Sequence, residues 1–150
     1  MTTFAHLADL ATLEGQEIGR SGWIVVEQSS IDQFAQATGD EQWIHVDPAR
    51  AAAGPFGTTV AHGFLTLSLL SQLFTAAVAF EDVRLSINYG LNRVRFPSPV
   101  PVGSRLRALC VLDTFEPLEG GAQLTVAITL EREGGAKPAC VAEWVTRHFV

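Results

Sequence analysis

The chain has 150 residues, 47% of them hydrophobic and 17% charged, with 16 acidic side chains against 10 basic ones and a formal charge of −6. That length suits a single domain, residues 1–150, burying about 70% of the surface its unfolded form exposes. The acidic balance excludes a general affinity for nucleic acid or an anionic membrane surface, while so apolar and charge-poor a composition predicts a subunit interface or a ligand tunnel.

The opening stretch MTTFAHLADLATLEGQE has no basic n-region and carries Asp9 and Glu14 where an apolar h-region would run, so it does not read as a secretory signal. Residues 21–28, SGWIVVEQ, are rich in β-formers and predict a short strand. In SSIDQFAQATG, Ser30 and Gln33 have the spacing of a capping box, and Ile31, Phe34, Ala35 and Thr38 recur at helical intervals. Gly39 is then the natural residue to close that helix in a left-handed conformation. A second helix is expected with Asp47 as N-cap and Pro48 at its first position, stopping at Gly54-Pro55. The break between the two predicts a loop over residues 40–46.

A third helix is predicted from about His62 to Phe80, apolar on nearly every side, the pattern of a helix buried by its surroundings. Its most membrane-like part, residues 64–80, would span about 26 Å at 1.5 Å per residue, short of a bilayer core of about 30 Å. Four alternating runs follow, at 84–96, 104–115, 122–132 and 138–149, separated by the turn segments PSPVPVG, EPLEGG and EGGAK. In the first of them the apolar phase shifts between Leu91 and Val94, which predicts a bulge near Gly90 to Arg93. The expected fold is α+β, an antiparallel sheet wrapped around one long helix. Cys110 and Cys140 fall in strand-like runs without zinc-type spacing and read as reduced core residues, which with no targeting mark points to a reducing cytoplasm.

The segment GDEQWIHVDP sets Asp40 and His45 five residues apart. On one continuous helix these side chains would point roughly 140° apart. In a loop they can turn to one point, and a histidine beside a carboxylate is suitable material for moving protons near neutral pH. On the residues alone, a turn aspartate and an internally satisfied histidine explain the pattern as well. His62-Gly63 opens the long helix, where free N–H groups suit a developing oxyanion and Gly63 permits close approach. Tight packing of the helix on the sheet is an equal explanation of that glycine.

Taken together, FAQATGDEQWIHVDPARAAAGPFGTTVAHGFLTLSLL resembles the hydratase-2 motif of the MaoC-like dehydratases, the (R)-specific enoyl-CoA hydratases, with Gly39, Asp40, His45, Asp47, His62 and Gly63 in register. INYGLNRVRFPSPVPVGSRLRA is similar, more loosely, to the sheet segment that follows. The resemblance implies a hot-dog fold and a homodimer joined through its sheets. It implies hydration of trans-2-enoyl-CoA with Asp40 as general base, His45 orienting the water and sharing in protonation of Cα, and the Gly63 N–H receiving the thioester carbonyl. Coenzyme A enters as part of the substrate, and no metal or other cofactor is implied.

The departure from the motif is Gln42-Trp43, where the family has Asn-Pro; Gln is a methylene longer and Trp lacks a fixed φ. His62, Gln42, Ser71, Asn88 and Tyr89 are carried as substrate-binding candidates, although for Ser71 a bond back to its own helix is the simpler account, as strand-surface packing is for Asn88 and Tyr89. Arg93 and Arg95, with Arg105 and Arg107 nearby, are candidates for the coenzyme A phosphates, an exposed sheet face being the simpler account. His6 and His148 stand in no partner pattern. Two rival readings share the ligand: a hot-dog acyl-CoA thioesterase, and a non-catalytic acyl-CoA binding subunit.

Overall fold

A computed structural model describes residues 1–150. The chain begins with a short strand β1 (Thr2–Phe4), a 3-10 turn (Leu7–Thr12), and strands β2 (Glu17–Arg20) and β3 (Ile24–Val25). Helices α1 (Gln28–Thr38), α2 (Trp43–Val46), α3 (Pro48–Ala52) and α4 (Gly63–Ala77) follow, and then β4 (Val78–Phe80), β5 (Leu85–Arg95), β6 (Arg105–Leu118), β7 (Gly121–Arg132) and β8 (Cys140–Phe149). No helix is long and apolar enough to cross a membrane.

The main sheet is antiparallel, in the order β2-β6-β7-β8-β5, with β3 on the same edge of β6 as β2. The alternation expected for the three last strands is realised: Leu106, Ala108, Cys110 and Leu112 of β6, Leu124, Val126, Ile128 and Leu130 of β7, and Cys140, Ala142 and Trp144 of β8 are buried. They close over Leu65, Leu70, Leu73, Phe74 and Ala77 of α4 in one core, where the Phe74 and Trp144 rings meet edge to face at 5.4 Å. In this apolar setting burial pushes the Cys110 thiol up to about 12 and the Cys140 thiol up to about 11, as befits unreactive core residues.

Four expectations change. The strand foreseen at 21–28 forms only at Ile24–Val25, whereas Glu17–Arg20 pairs with β6; between them the Ser21 N–H donates to the Ala108 carbonyl while Ser21 Oγ accepts the Ala108 N–H, so a side chain takes one of the two places in the ladder. The capping box at Ser30 is absent, because α1 starts three residues earlier, with Glu27 as N-cap and Gln28 as its first residue, whose side chain is drawn into tertiary contacts. The long helix stops at Ala77, since Val78–Phe80 adopt extended backbone and run parallel to β1, with Phe4 and Phe80 stacked at 6.0 Å. Within the chain α4 is buried on one side only: Phe64 is 71% exposed, and Ser68, Ser71, Gln72 and Thr75 share its open face. The predicted bulge is found as two register shifts in β5, at Asn88/Gly90 and Leu91/Arg93.

Candidate active site

The site is set by a sharp exit from α1. Gly39 caps that helix with φ of 76°, its N–H bonded to the Ala35 carbonyl at 2.8 Å, a left-handed conformation cheap only without a Cβ. Asp40 leaves this turn exposed to solvent. The next residues are not the open loop expected: Trp43–Val46 wind into the single turn α2, which carries His45 inward until it is 7% exposed. Asp47 then caps α3 as predicted, its carboxylate accepting the Arg50 N–H at 2.9 Å.

Long-range bonds lock α2 in place. Gln28 Nε2 donates to the His45 carbonyl at 2.7 Å while Gln28 Oε1 accepts the Thr59 hydroxyl at 2.5 Å, and the Val60 N–H reaches the Ile44 carbonyl at 3.0 Å. Gln28 and Thr59 are supporting residues that motif reasoning missed, because their partners lie 17 and 31 residues away in the chain. Gln42 contributes its main-chain carbonyl, which accepts the His45 N–H. Trp43 is covered by the Arg50 guanidinium at 4.6 Å and packs against Gly54, so the indole takes up the joint between α2 and α3.

The imidazole of His45 sits with Nδ1 2.6 Å from the Val60 carbonyl. A carbonyl only accepts, so Nδ1 carries the hydrogen and Nε2 of the neutral ring presents a bare lone pair. His62, the N-cap of α4, donates in the same way from Nε2 to the main-chain carbonyl of Asp40 at 2.9 Å, leaving a buried Nδ1 without a partner. Its ring lies against that of His45, centroids 3.8 Å apart and planes 26° from parallel, with Phe34 on its flank at 5.0 Å. His62 thus touches both members of the expected pair. Asp40, His45 and His62 each offer one ligand-type atom within 4.8 Å of the others. By distance the set could hold a metal ion, but stacked rings aim their in-plane lone pairs side by side, so convergence on one ion requires a ring to turn.

At the start of α4 the N–H groups of Gly63, Phe64 and Leu65 find no acceptor in the chain, and the His62 side chain does not cap them. A Cβ on Gly63 would stand 3.3 Å from the Phe96 ring; the glycine keeps that entrance from being filled. The remaining candidates separate. Ser71 is on the open face of α4, and Asn88, whose Oδ1 accepts the Trp144 Nε1–H at 2.8 Å, lines the same hollow. Tyr89 lies outside that hollow, its ring 3.5 Å below the Arg147 guanidinium. Arg93 faces Glu143 at 3.9 Å, Arg95 donates to the Val94 carbonyl, and Arg105 and Arg107 pair with Glu133 and Glu131; this is a sheet face of cross-strand ion pairs. His148, unpartnered in the sequence reading, lies between the hydroxyls of Ser86 and Thr146, each at 2.9 Å.

Residues 9–131 match the family described as the MaoC like domain. The chain is 57% identical over 149 residues to the 3-hydroxyacyl-thioester dehydratase Z of Mycobacterium tuberculosis, covering 99% of each protein. It is 49% identical over 144 residues to nodulation protein N of Rhizobium leguminosarum bv. viciae, covering 93% of this chain and 89% of that one. Among solved structures it superposes on the MaoC-like dehydratase from Rhodospirillum rubrum with a TM-score of 0.77 at 22% identity, covering 97% of both chains. On the (R)-hydratase from A. caviae the TM-score is 0.67 at 28% identity, over 87% of this chain and 95% of that one. The sheet wrapped on α4 is the hot-dog fold.

Proposed function

The chain belongs to the MaoC-like dehydratase family, and from that premise we propose that it is an (R)-specific enoyl-thioester hydratase, adding water reversibly across the double bond of a trans-2-enoyl-CoA to give the (R)-3-hydroxyacyl-CoA. One observation carries the reading: a histidine whose Nδ1 is committed to the Val60 carbonyl, leaving Nε2 without a partner in the chain, stands in a cluster where one ring nitrogen each of His45 and His62 and an oxygen of the exposed Asp40 carboxylate lie within 4.8 Å of one another, beside a helix start with free N–H groups. The (R)-hydratase among the structural relatives supports the stereochemistry.

In this mechanism one water is held between the Asp40 carboxylate and His45 Nε2, both of which accept its hydrogens. As the water oxygen bonds to C3, Asp40 takes one proton and His45 fixes the orientation of the forming hydroxyl. Negative charge moves to the thioester oxygen, where the Gly63 N–H, carrying the positive end of the α4 dipole, receives it. The proton held by the Asp40–His45 pair passes to C2, which balances the addition, and dehydration is the reverse. Two copies of the chain pair through β5, the strand that closes the sheet with no neighbour on its outer side.

The test is hydration of crotonyl-CoA followed by loss of enoyl absorbance, with a parallel assay for free thiol. The expected result is loss of absorbance without thiol release, and a fall of roughly 10² to 10⁴ in kcat for Asp40→Asn and for His45→Gln. A near wild-type rate in either variant removes the acid/base assignment, and thiol release without hydration replaces the reading with a thioesterase.

A further inference from the structure

A second set of polar side chains has no part in that chemistry. It faces a hollow of about 420 Å³ between the open face of α4 and the inner faces of β5 and β8, whose lining includes no Asp, Glu, Lys or Arg. A smaller hollow of about 100 Å³ shares Ser71, Asn88 and Trp144 with it and extends back to Leu67. At 1.5 Å per residue Leu67 lies about 6 Å and Ser71 about 12 Å along α4 from Gly63. Both hollows thus border α4 beyond its start, further along the helix than Gly63.

The hydrogen-bond inventory decides what the far wall presents. Indole N–H only donates, so Asn88 meets Trp144 with Oδ1, and the Asn88 amide nitrogen, which has no partner in the chain, is left as a donor. His148 is neutral, since burial lowers its pKa to about 4, so one of its two hydroxyl partners accepts from the ring and the other donates to it. Thr146 is buried and has no other acceptor within reach, so it is the one that donates, sparing the cost of an orphaned hydroxyl. The ring then donates from Nδ1 to Ser86 Oγ, and the Ser86 hydroxyl hydrogen is free. Ser86 and Asn88 are two residues apart on exposed β5, side by side on one face.

We propose that this hollow is an acyl-tail site selecting enoyl-thioesters whose tail carries a neutral acceptor oxygen, a ketone or hydroxyl, bound by the free Asn88 amide and Ser86 hydroxyl. The proposal rests on the reading above in one respect, that the thioester carbonyl is held at Gly63. A carboxylate is the wrong occupant, because no cation is present to offset its desolvation. An extended chain advances about 1.2 Å per bond, by the span of three-bond residues, so a tail atom level with Ser71, which borders both hollows together with Asn88, lies about ten bonds from the thioester carbonyl.

The probes are dodecanoyl-CoA and its 11-oxo analogue, saturated thioesters with no double bond to hydrate, their binding measured calorimetrically on Asp40→Asn protein. The 11-oxo thioester is expected to bind roughly fivefold tighter for each hydrogen bond formed. In the same background N88D, which keeps the oxygen that Trp144 needs while removing the donor, is expected to abolish the preference, and S86A to reduce it. Equal affinity for the two thioesters overturns the proposal, as does a preference that survives both substitutions. An equal loss for both thioesters in N88D also overturns it, since the donors would then serve the pantetheine arm common to both. Crotonyl-CoA hydration by the unaltered protein reads the catalytic assignment separately, so either idea can fail while the other stands.

Discussion

His148 shows how much a single enclosed ring can govern. Burial holds its pKa at about 4 against an ordinary 6.5, with both nitrogens turned to hydroxyls. As pH falls below 6.5 the unfolded chain takes up this proton and the folded chain does not until near 4, so the stabilising contribution is complete above 6.5 and is lost across that window. The loss is about 3 kcal/mol. Urea unfolding at about pH 7 and about pH 4.5 is expected to show this difference in the unaltered protein and a much smaller one in His148→Gln; an unchanged difference in the variant assigns the pH dependence to other groups. At this scale the motif residues were readable because Gly39, Asp40, His45, His62 and Gly63 fall in one short stretch. The committed Nδ1 of His45, the ring stack with His62 and the Ser86–His148 bond were not, since each depends on the path of the chain between distant residues.

Among the elements, α2 is a helix of four residues that could not persist alone, because nucleating a turn is unfavourable. Gln28 of α1 supplies what it lacks by bridging the His45 carbonyl and the Thr59 hydroxyl. Gln28→Leu is expected to cost about 1 to 3 kcal/mol through two orphaned partners and to lower kcat for hydration more than it raises KM, because His45 loses its seat while the helix start is untouched. Unchanged kcat in a folded variant would show that Val60 alone suffices to orient the imidazole. Strands with clear alternation, β6 to β8, were foreseen nearly to their ends. The failures lie where one stretch suits two structures: Val78–Phe80 continues an apolar helix by pattern, yet β1, more than seventy residues earlier in the chain, offers it backbone partners.

For the molecule as a whole, several of the exposed apolar side chains gather on β5 and the open face of α4. Leu85, Ile87 and Leu91 stand on β5, the long strand at the open edge of the sheet, and Phe64 stands on the open face of α4. An uncovered edge of this kind invites pairing with a second chain. Sedimentation is expected to give twice the chain mass for the unaltered protein and the single mass for Ile87→Lys, whose charge would be buried at that junction; a single mass for both sends the apolar surplus to some other use. The apolar, charge-poor composition announced this surplus, but composition carries no address, and only the strand order puts it on one side of the molecule.

Every group assigned to proton transfer lies between Gln28 and Gly63, whereas the free donors of the hollow belong to β5 and their partners to β8. Reactivity and admission of the tail are thus written in separate passages of the polypeptide. A library randomised at Ser86, Asn88 and Thr146 would redraw the guest list of this protein while its water chemistry stayed as it was, an arrangement that lets a lineage change diet without relearning how to digest.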